Sequence, residues 1–283
     1  MRKSLRKYFP VFVLPTLIAF LISFLIPFGM GIYLSFTRFN AVTDATFVGV
    51  NNYVLAFTDP SNDFLNALWF TVKFTVVSVI SINVIAFAVA LLLTRGLKGT
   101  NAFRTVFFMP NLIGGIVLGY IWQIIINGVL RHVAGVDIMY DPNYGFWGLV
   151  LLMNWQLIGY MMIIYIAGIQ NIPHDLIEAA QIDGANRRQT LFKIIIPNVM
   201  PSITICTFLT LTNSFKLFDQ NLALTGGGPA KQTQMLALDI YRTFYNRTGW
   251  SGVGQAKAVI FFIMVAVIAL IQLRITRSRE VES

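Results

Sequence analysis

Charge is what this sequence has least of. Among its 283 residues are 21 Lys or Arg and 12 Asp or Glu, 12% in all, where a soluble domain carries about 25%. So few ions cannot cover a water-soluble surface of this size. A soluble enzyme and a disordered tail are both excluded. Cysteine is nearly absent as well. Cys206 stands alone, so no intrachain disulfide can form, and the redox compartment stays open. Histidine occurs only at His132 and His174, and no carboxylate pair or nucleophile–base spacing accompanies them, which leaves a membrane enzyme little to work with. No internal repeat, low-complexity tract or separate soluble domain is evident. A phosphate loop is missing too. Gly226–Thr233 superficially suggests one, but Ala230 precedes Lys231 and Gln232 follows it, where Gly and Ser or Thr are required.

What is present is apolar. Hydrophobic residues make up 56% of the chain, with 24 Phe and a mean hydropathy of +0.69. The net charge of +9 sits in short groups between long apolar stretches, which argues against nucleic acid as a partner. A helix crossing the hydrocarbon layer needs about 20 mostly apolar residues. Six stretches qualify: 11–35, 67–93, 105–126, 146–169, 201–222 and 252–273. The first run is too long for a signal peptide and lacks a small-x-small cleavage site, so it is expected to stay as a span. The chain is thus expected to be an all-α polytopic membrane protein, one transmembrane domain over 1–283.

Basic residues set the orientation. With the N-terminus inside, the inner segments hold Arg2, Lys3, Arg6, Lys7, Arg95, Lys98, Arg104, Arg187, Arg188, Lys193, Arg274, Arg277 and Arg279. The outer ones hold only Arg38, Arg131, Lys231, Arg242 and Arg247. Lys73, Lys216 and Lys257 lie in or at the edge of spans. Both termini are expected in the cytoplasm. Pro15, Pro27, Gly29, Gly31, Pro110 and Gly114 suggest kinks, and Gly115-x-x-x-Gly119 would let two backbones approach closely.

The inner loop at 170–200 has its own helical pattern. Pro173 suits a first turn, Asp175 and Glu178 complement the positive dipole end, and Gly184 can end the helix in the left-handed region. A second helix is expected from about Asn186 to Ile195. Leu176, Ile177 and Ala180 would form one apolar face, with Ala179 small enough for close approach. Such a face needs cover, from a partner or from the chain's own bundle.

Glu178-Ala179-Ala180, three residues, Gly184, nine residues and Ile194-x-Ile196-Pro197 resemble the EAA loop of ABC-importer permeases, EAA-x3-G-x9-I-x-L-P, departing from it only in Ile196. Phe47-Val-Gly49-Val-Asn-Asn52-Tyr53, Phe103-Arg104 with Pro110 and Trp122, and Ile166-Ala-Gly168-Ile-Gln170-Asn-Ile-Pro173 resemble other segments of the binding-protein-dependent carbohydrate permeases. Phe218-Asp219 and Leu224-Thr-Gly-Gly-Gly-Pro229 with Thr233 resemble an outer loop of the maltose/glycerol-3-phosphate type, in the first of its two unlike permeases. The resemblance implies a type I ABC-importer permease fold in the cytoplasmic (inner) membrane of a prokaryote. It also implies a second, similar permease, two ATPase subunits that bind the ATP and Mg, and an extracytoplasmic solute-binding protein. This chain itself would hold no cofactor and hydrolyse nothing. Leu176, Ile177, Glu178, Ala179, Ala180, Asp183 and Gly184 would meet the ATPase, with Glu178 the polar contact. Gly226, Gly227, Gly228 and Pro229 would meet the binding protein or form a gate.

Two polar stripes fall within spans: Thr210, Asn213, Ser214 and Leu217 on the fifth, and Asn154, Leu157 and Tyr160 on the fourth. Amides and hydroxyls beside a ring suit a sugar, and the resemblance places a sugar path on these helices. Hydrogen bonds between helices remain the alternative. Lys216 and Asp219 are spaced to pair, while Lys73 and Asn83 are left unassigned. The lack of a mid-membrane Arg cluster weakens an anionic solute such as glycerol phosphate. A secondary transporter would want inverted repeats and has no use for the EAA loop.

Overall fold

The computed structural model describes residues 2–278, side chains from residue 9 onward. Arg279 and the side chains of Arg2, Lys3, Arg6 and Lys7, which enter the orientation argument, lie outside the described residues. The chain gathers into two compact units, residues 1–64 with 240–263 and residues 65–239 with 264–283.

In the first unit, α1 (Arg2–Phe20), a π turn (Leu21–Leu25) and α2 (Ile26–Leu34) follow one another. Apolar residues from Phe9 to Leu34 make the first candidate span, 26 residues long. The π turn has a local cause. Pro27 has no N–H to return to the carbonyl four residues back, and the helix widens just before it. A two-residue hairpin pairs β1 (Thr37–Arg38) with β2 (Thr46–Phe47), and α3 (Asn51–Thr58) follows. Asn52 at its start is buried and donates to the carbonyls of Ser35 and Thr37, at 2.9 and 2.8 Å. Lys257 is fully buried, donates to Asn62 and, at 2.7 Å, to Thr243, and lies 5.5 Å from the centre of the Phe64 ring.

The second unit is built on α4 (Phe64–Leu93), α5 (Thr100–Phe108), α6 (Gly115–Ala134) and α7 (Pro142–Gln170). Helix α7 is its axis: 67% of its most apolar window is buried, against 28% in α4 and 11% in α6. It is buried on most of its circumference, and the side that is not, Trp147, Leu151, Trp155 and Ile163, is apolar as well. Asp141 caps it, its carboxylate accepting from the N–H of Asn143 at 2.6 Å. The loop helices α8 (His174–Ile182), α9 (Arg187–Thr190) and α10 (Ile196–Asn198) lead to α11 (Met200–Phe215) and α12 (Asp219–Leu224). Then come α13 (Leu236–Tyr245) and α14 (Ser251–Arg277), each passing through residues of both units.

Among the described residues five helices are long and apolar enough to span a membrane, and the pair Arg187–Asn198 and Met200–Phe215, bent by 69°, gives a sixth when it is counted as one broken span. The expected six spans therefore each have a counterpart, with two corrections. The third, expected at 105–126, runs from Gly115 to Ala134. Pro110 supplies no N–H, Met109–Leu112 tightens to a 3₁₀ turn and Gly114 is extended, so Thr100–Phe108 becomes a helix of its own. The fifth, expected to reach 222, stops at Phe215 and resumes as α12 after Lys216–Phe218. The close approach expected at Gly115 and Gly119 is present. A Cβ on Gly119 would lie 2.6 Å from the Cβ of Ala223, and one on Gly115 2.8 Å from that of Asp219, so only glycine lets α12 sit this near α6.

Candidate functional site

The loop after α7 is a helical hairpin. Pro173 sits at the N-cap, extended, one position before the first helical turn in which the sequence places it. Helix α8 ends as the glycine requires. Gly184 has φ +75°, its N–H reaches the carbonyl of Gln181 at 3.1 Å, and the N–H of Ala185 reaches that of Ala180 at 2.9 Å. This is a Schellman closure. Asn186 and Gln189 then cap α9 reciprocally, at 2.8 and 2.9 Å. A π turn at Leu191–Ile195 precedes Pro197, the same arrangement that precedes Pro27.

The expected apolar face is divided. Ala180 is buried and Ile177 half-buried against the chain's own core. Leu176 is 44% exposed and Ile182 86%, and Glu178, Ala179, Asp183 and Gly184 are open as well. The outward surface of α8 therefore follows Leu176, Ala179, Ile182 and Asp183, at i, i+3, i+6 and i+7, and Phe192, beyond α9, is 65% exposed as well. Ile182 and Phe192 escaped the sequence reading, although Ile182 stands three positions after Ala179 and so shares its face.

Among the buried helices, a polar cluster ties α4, α7 and α11 together. Asn83 donates to the hydroxyl of Thr210 at 2.9 Å and accepts from that of Tyr165 at 2.6 Å. Asn154 donates to Ser81 at 2.9 Å. Thr210 and Ser214 are fully buried. The sequence reading is corrected here: Asn154 and Thr210 join helices, and neither they nor Ser214 lines the nearby cavity. Each such bond in a membrane is worth about 0.6 kcal/mol on average. Asn83→Leu, which loses two of them, is expected to destabilise the protein by about 1 kcal/mol in detergent melts. An unchanged melt would mean that the cluster contributes nothing.

The cavity itself, about 320 Å³, opens where α11 breaks before α12. Leu157 and Tyr160 of α7 line it with Asn213, Lys216, Leu217, Asp219 and Gln220. Gln220 donates to the side-chain oxygen of Gln156 at 2.7 Å, and Gln156 to the carbonyl of Ile113 at 3.4 Å. The Tyr160 ring packs edge-on to Phe108, centres 6.4 Å apart. Lys216 and Asp219 share the wall, but no ion pair joins them in the described structure, contrary to the i, i+3 expectation. The two glutamines went unforeseen because they gain their importance from each other, 64 residues apart. Lys73 is exposed, 5.7 Å from the Trp69 ring centre.

The Gly226–Pro229 segment is an internal loop and not an open surface. Gly227 and Gly228 are buried. Gly226 and Gly227 have φ of +52° and +77°, and a Cβ on Gly228 would lie 2.0 Å from the Met139 methyl. Thr225, Asn221 and Thr233 hold it: Asn221 donates to the Thr233 carbonyl at 2.8 Å and Thr233 to that of Gly228 at 2.5 Å. Only the tip at Ala230, Lys231 and Gln232 is exposed.

Comparison with known proteins agrees with this architecture. Residues 82–280 match the family described as the binding-protein-dependent transport system inner membrane component. The probable starch degradation products transport system permease protein of Thermoanaerobacterium thermosulfurigenes is 46% identical over 96% of this chain and 94% of its own. The multiple sugar-binding transport system permease protein of Streptococcus mutans is 30% identical over 99% of each. In fold, the chain superposes on a chain of a bacterial ABC transporter involved in the import of the acidic polysaccharide alginate, with a TM-score of 0.82, 20% identity and 98% of each chain covered. A multi-pass helical bundle with a hairpin between its fourth and fifth spans thus has its place: the chain belongs to the family of binding-protein-dependent transport system inner membrane components.

Proposed function

We propose that the chain is the permease of an ATP-driven importer, moving a carbohydrate across the inner membrane by alternating access. The observation that carries this reading is the hairpin, whose outward side presents Leu176, Glu178, Ala179 and Ile182 while its inward side packs on the bundle's core through Ile177. A surface anchored on one side and bare on the other suits a lever. A partner ATPase, binding ATP and Mg in two copies, would grip the bare side. This chain supplies the path and no hydrolysis.

The excess of basic residues next to the hairpin supports its placement in the cytoplasm, together with both termini. A second, similar permease would complete the pathway. A solute-binding protein would dock on the outer side, where the exposed tip Ala230–Gln232 is better placed to touch it than the buried glycines before it.

Carbohydrate is favoured by the cavity's lining. The amides of Gln156, Gln220 and Asn213 can meet hydroxyls, and the Tyr160 ring offers a flat apolar face. Relatives named for starch degradation products and for multiple sugars point the same way. A glycerol-3-phosphate permease of Brucella abortus is also 30% identical, but here one lysine, Lys216, shares the wall with Asp219. That wall offers a phosphate dianion little net charge. Asn213→Ala and Tyr160→Ala are each expected to raise the KM for uptake about tenfold, the worth of one good hydrogen bond or ring contact. The assay is uptake by the reconstituted complex across a panel of sugars with glycerol phosphate as the anionic arm. Wild-type KM in both variants, or preference for glycerol phosphate, would overturn the assignment.

A further inference from the structure

A second and larger cavity, about 1090 Å³, lies between the hairpin and the ends of α4 and α7. Its floor is apolar: Leu91, Ile169, Ile172, Ile177, Leu191 and Ile195, all half-buried or buried. Its rim is cationic, with Arg95 just beyond α4 and Arg187 and Arg188 on α9. All three arginines are exposed. Among the described residues no carboxylate lines it. Asp175, Glu178 and Asp183 belong to the same hairpin but are not among the lining residues.

Three features narrow the occupant. Among the described residues nothing in the cavity offsets the positive charge at its rim, so the ligand brings negative charge. Guanidinium groups clamp phosphate oxygens with paired hydrogen bonds. The floor is too apolar for a small hydrated anion, and the volume exceeds what one would fill, since pockets for whole drug-sized ligands span about 300–1,000 Å³. Finally, two membrane spans end at this cavity, Leu93 closing α4 and Gln170 closing α7, which sets it at the edge of the bilayer.

We propose that the cavity is a binding site for an anionic phospholipid of the inner leaflet, its phosphate among Arg95, Arg187 and Arg188 and its upper acyl chain on the isoleucine and leucine floor. Basic pockets at the cytoplasmic ends of membrane helices suit such headgroups. The lipid would bridge the end of α4 and both helices of the hairpin. It would stiffen the joint through which the hairpin acts on the bundle. The functional consequence rests on the coupling role proposed above; the binding itself does not.

The test uses the purified permease complex in symmetric nanodiscs, with lipid binding read by native mass spectrometry. Phosphatidylglycerol is expected to be retained and phosphatidylcholine lost. Each arginine near a membrane surface contributes about fivefold to binding, so Arg95→Gln/Arg187→Gln/Arg188→Gln should lower phosphatidylglycerol affinity about a hundredfold. The corresponding triple lysine variant, which keeps the charge, should restore most of it and so exclude a folding defect. In proteoliposomes, uptake should be slower in neutral lipid, and the glutamine variant should be slow in both. Equal retention of the two lipids, unchanged binding by the glutamine variant, or equally tight binding of soluble glycerol phosphate would overturn the proposal. So would loss of the lipid whenever the ATPase subunits are bound, since that would make the rim an ATPase contact. Glu178→Ala should bind lipid normally whether or not it transports, which separates this site from the coupling role.

Discussion

Gly159→Ala is expected to leave a protein that melts about 10 °C lower and accumulates poorly in the membrane. A Cβ at Gly159 would lie 1.8 Å from the carbonyl oxygen of Phe107, 2.2 Å from its carbon and 2.8 Å from the nitrogen of Phe108. All three are backbone atoms, so no rotamer can relieve the clash. Helix α5 would have to move away from α7. Gly159 is buried, and close-packed interiors resist such shifts, at about 1–3 kcal/mol for one inserted group and more when backbone must yield. That is a large share of the 5–15 kcal/mol typical of a folded domain. The damage would also reach the cavity, because Tyr160 is the next residue and packs on Phe108. Gly128→Ala in α6 provides the control. Nothing lies within 4 Å of a Cβ there, and alanine is the better helix former. Thermal unfolding of the two variants in one detergent measures the difference, and equal midpoints would mean that α5 does not sit where it is described.

Glu178→Ala should remove transport while leaving folding and insertion intact. The side chain is exposed in this chain, so its loss removes no internal contact. In a complex where it pairs with a buried donor of the ATPase, truncation would cost about 2–5 kcal/mol, thirtyfold or more in coupled uptake. Gly184→Pro should be as severe by another route. Proline fixes φ near −65°, Gly184 has φ +75°, and the ring removes the N–H that closes on Gln181. Helix α8 would then leave the hairpin at a different angle. Uptake and ATP hydrolysis, measured together in proteoliposomes, read the outcome. Both variants should hydrolyse without transporting or do neither, and wild-type uptake in both would end the coupling assignment.

Apolar windows made the spans legible in the sequence, because hydropathy needs no partner to be read. Breaks were harder. Pro110 announced a kink, but only the structure places the extended Gly114 that moves the third span to Gly115–Ala134. Helical spacing correctly grouped Thr210, Asn213 and Ser214 on neighbouring positions of α11, yet spacing cannot say which helix each one meets. Asn83, on α4, takes Thr210 out of the cavity, and that pairing spans 127 residues. Cap chemistry was the most readable of all. Gly184 sits in the left-handed region as its place in the sequence requires, since its partners lie within a few residues.

The first span raises a different matter. Along the whole of it, from Phe9 to Leu34, no residue is buried by the rest of the described chain. A soluble helix of that kind would be unstable, but hydrocarbon satisfies it as well as a neighbour would. Its medium is therefore part of its structure. Detergent micelles replace that medium, and the first helix to respond to a poor choice of detergent will be this one, well before the axis formed by α7 notices any change of solvent.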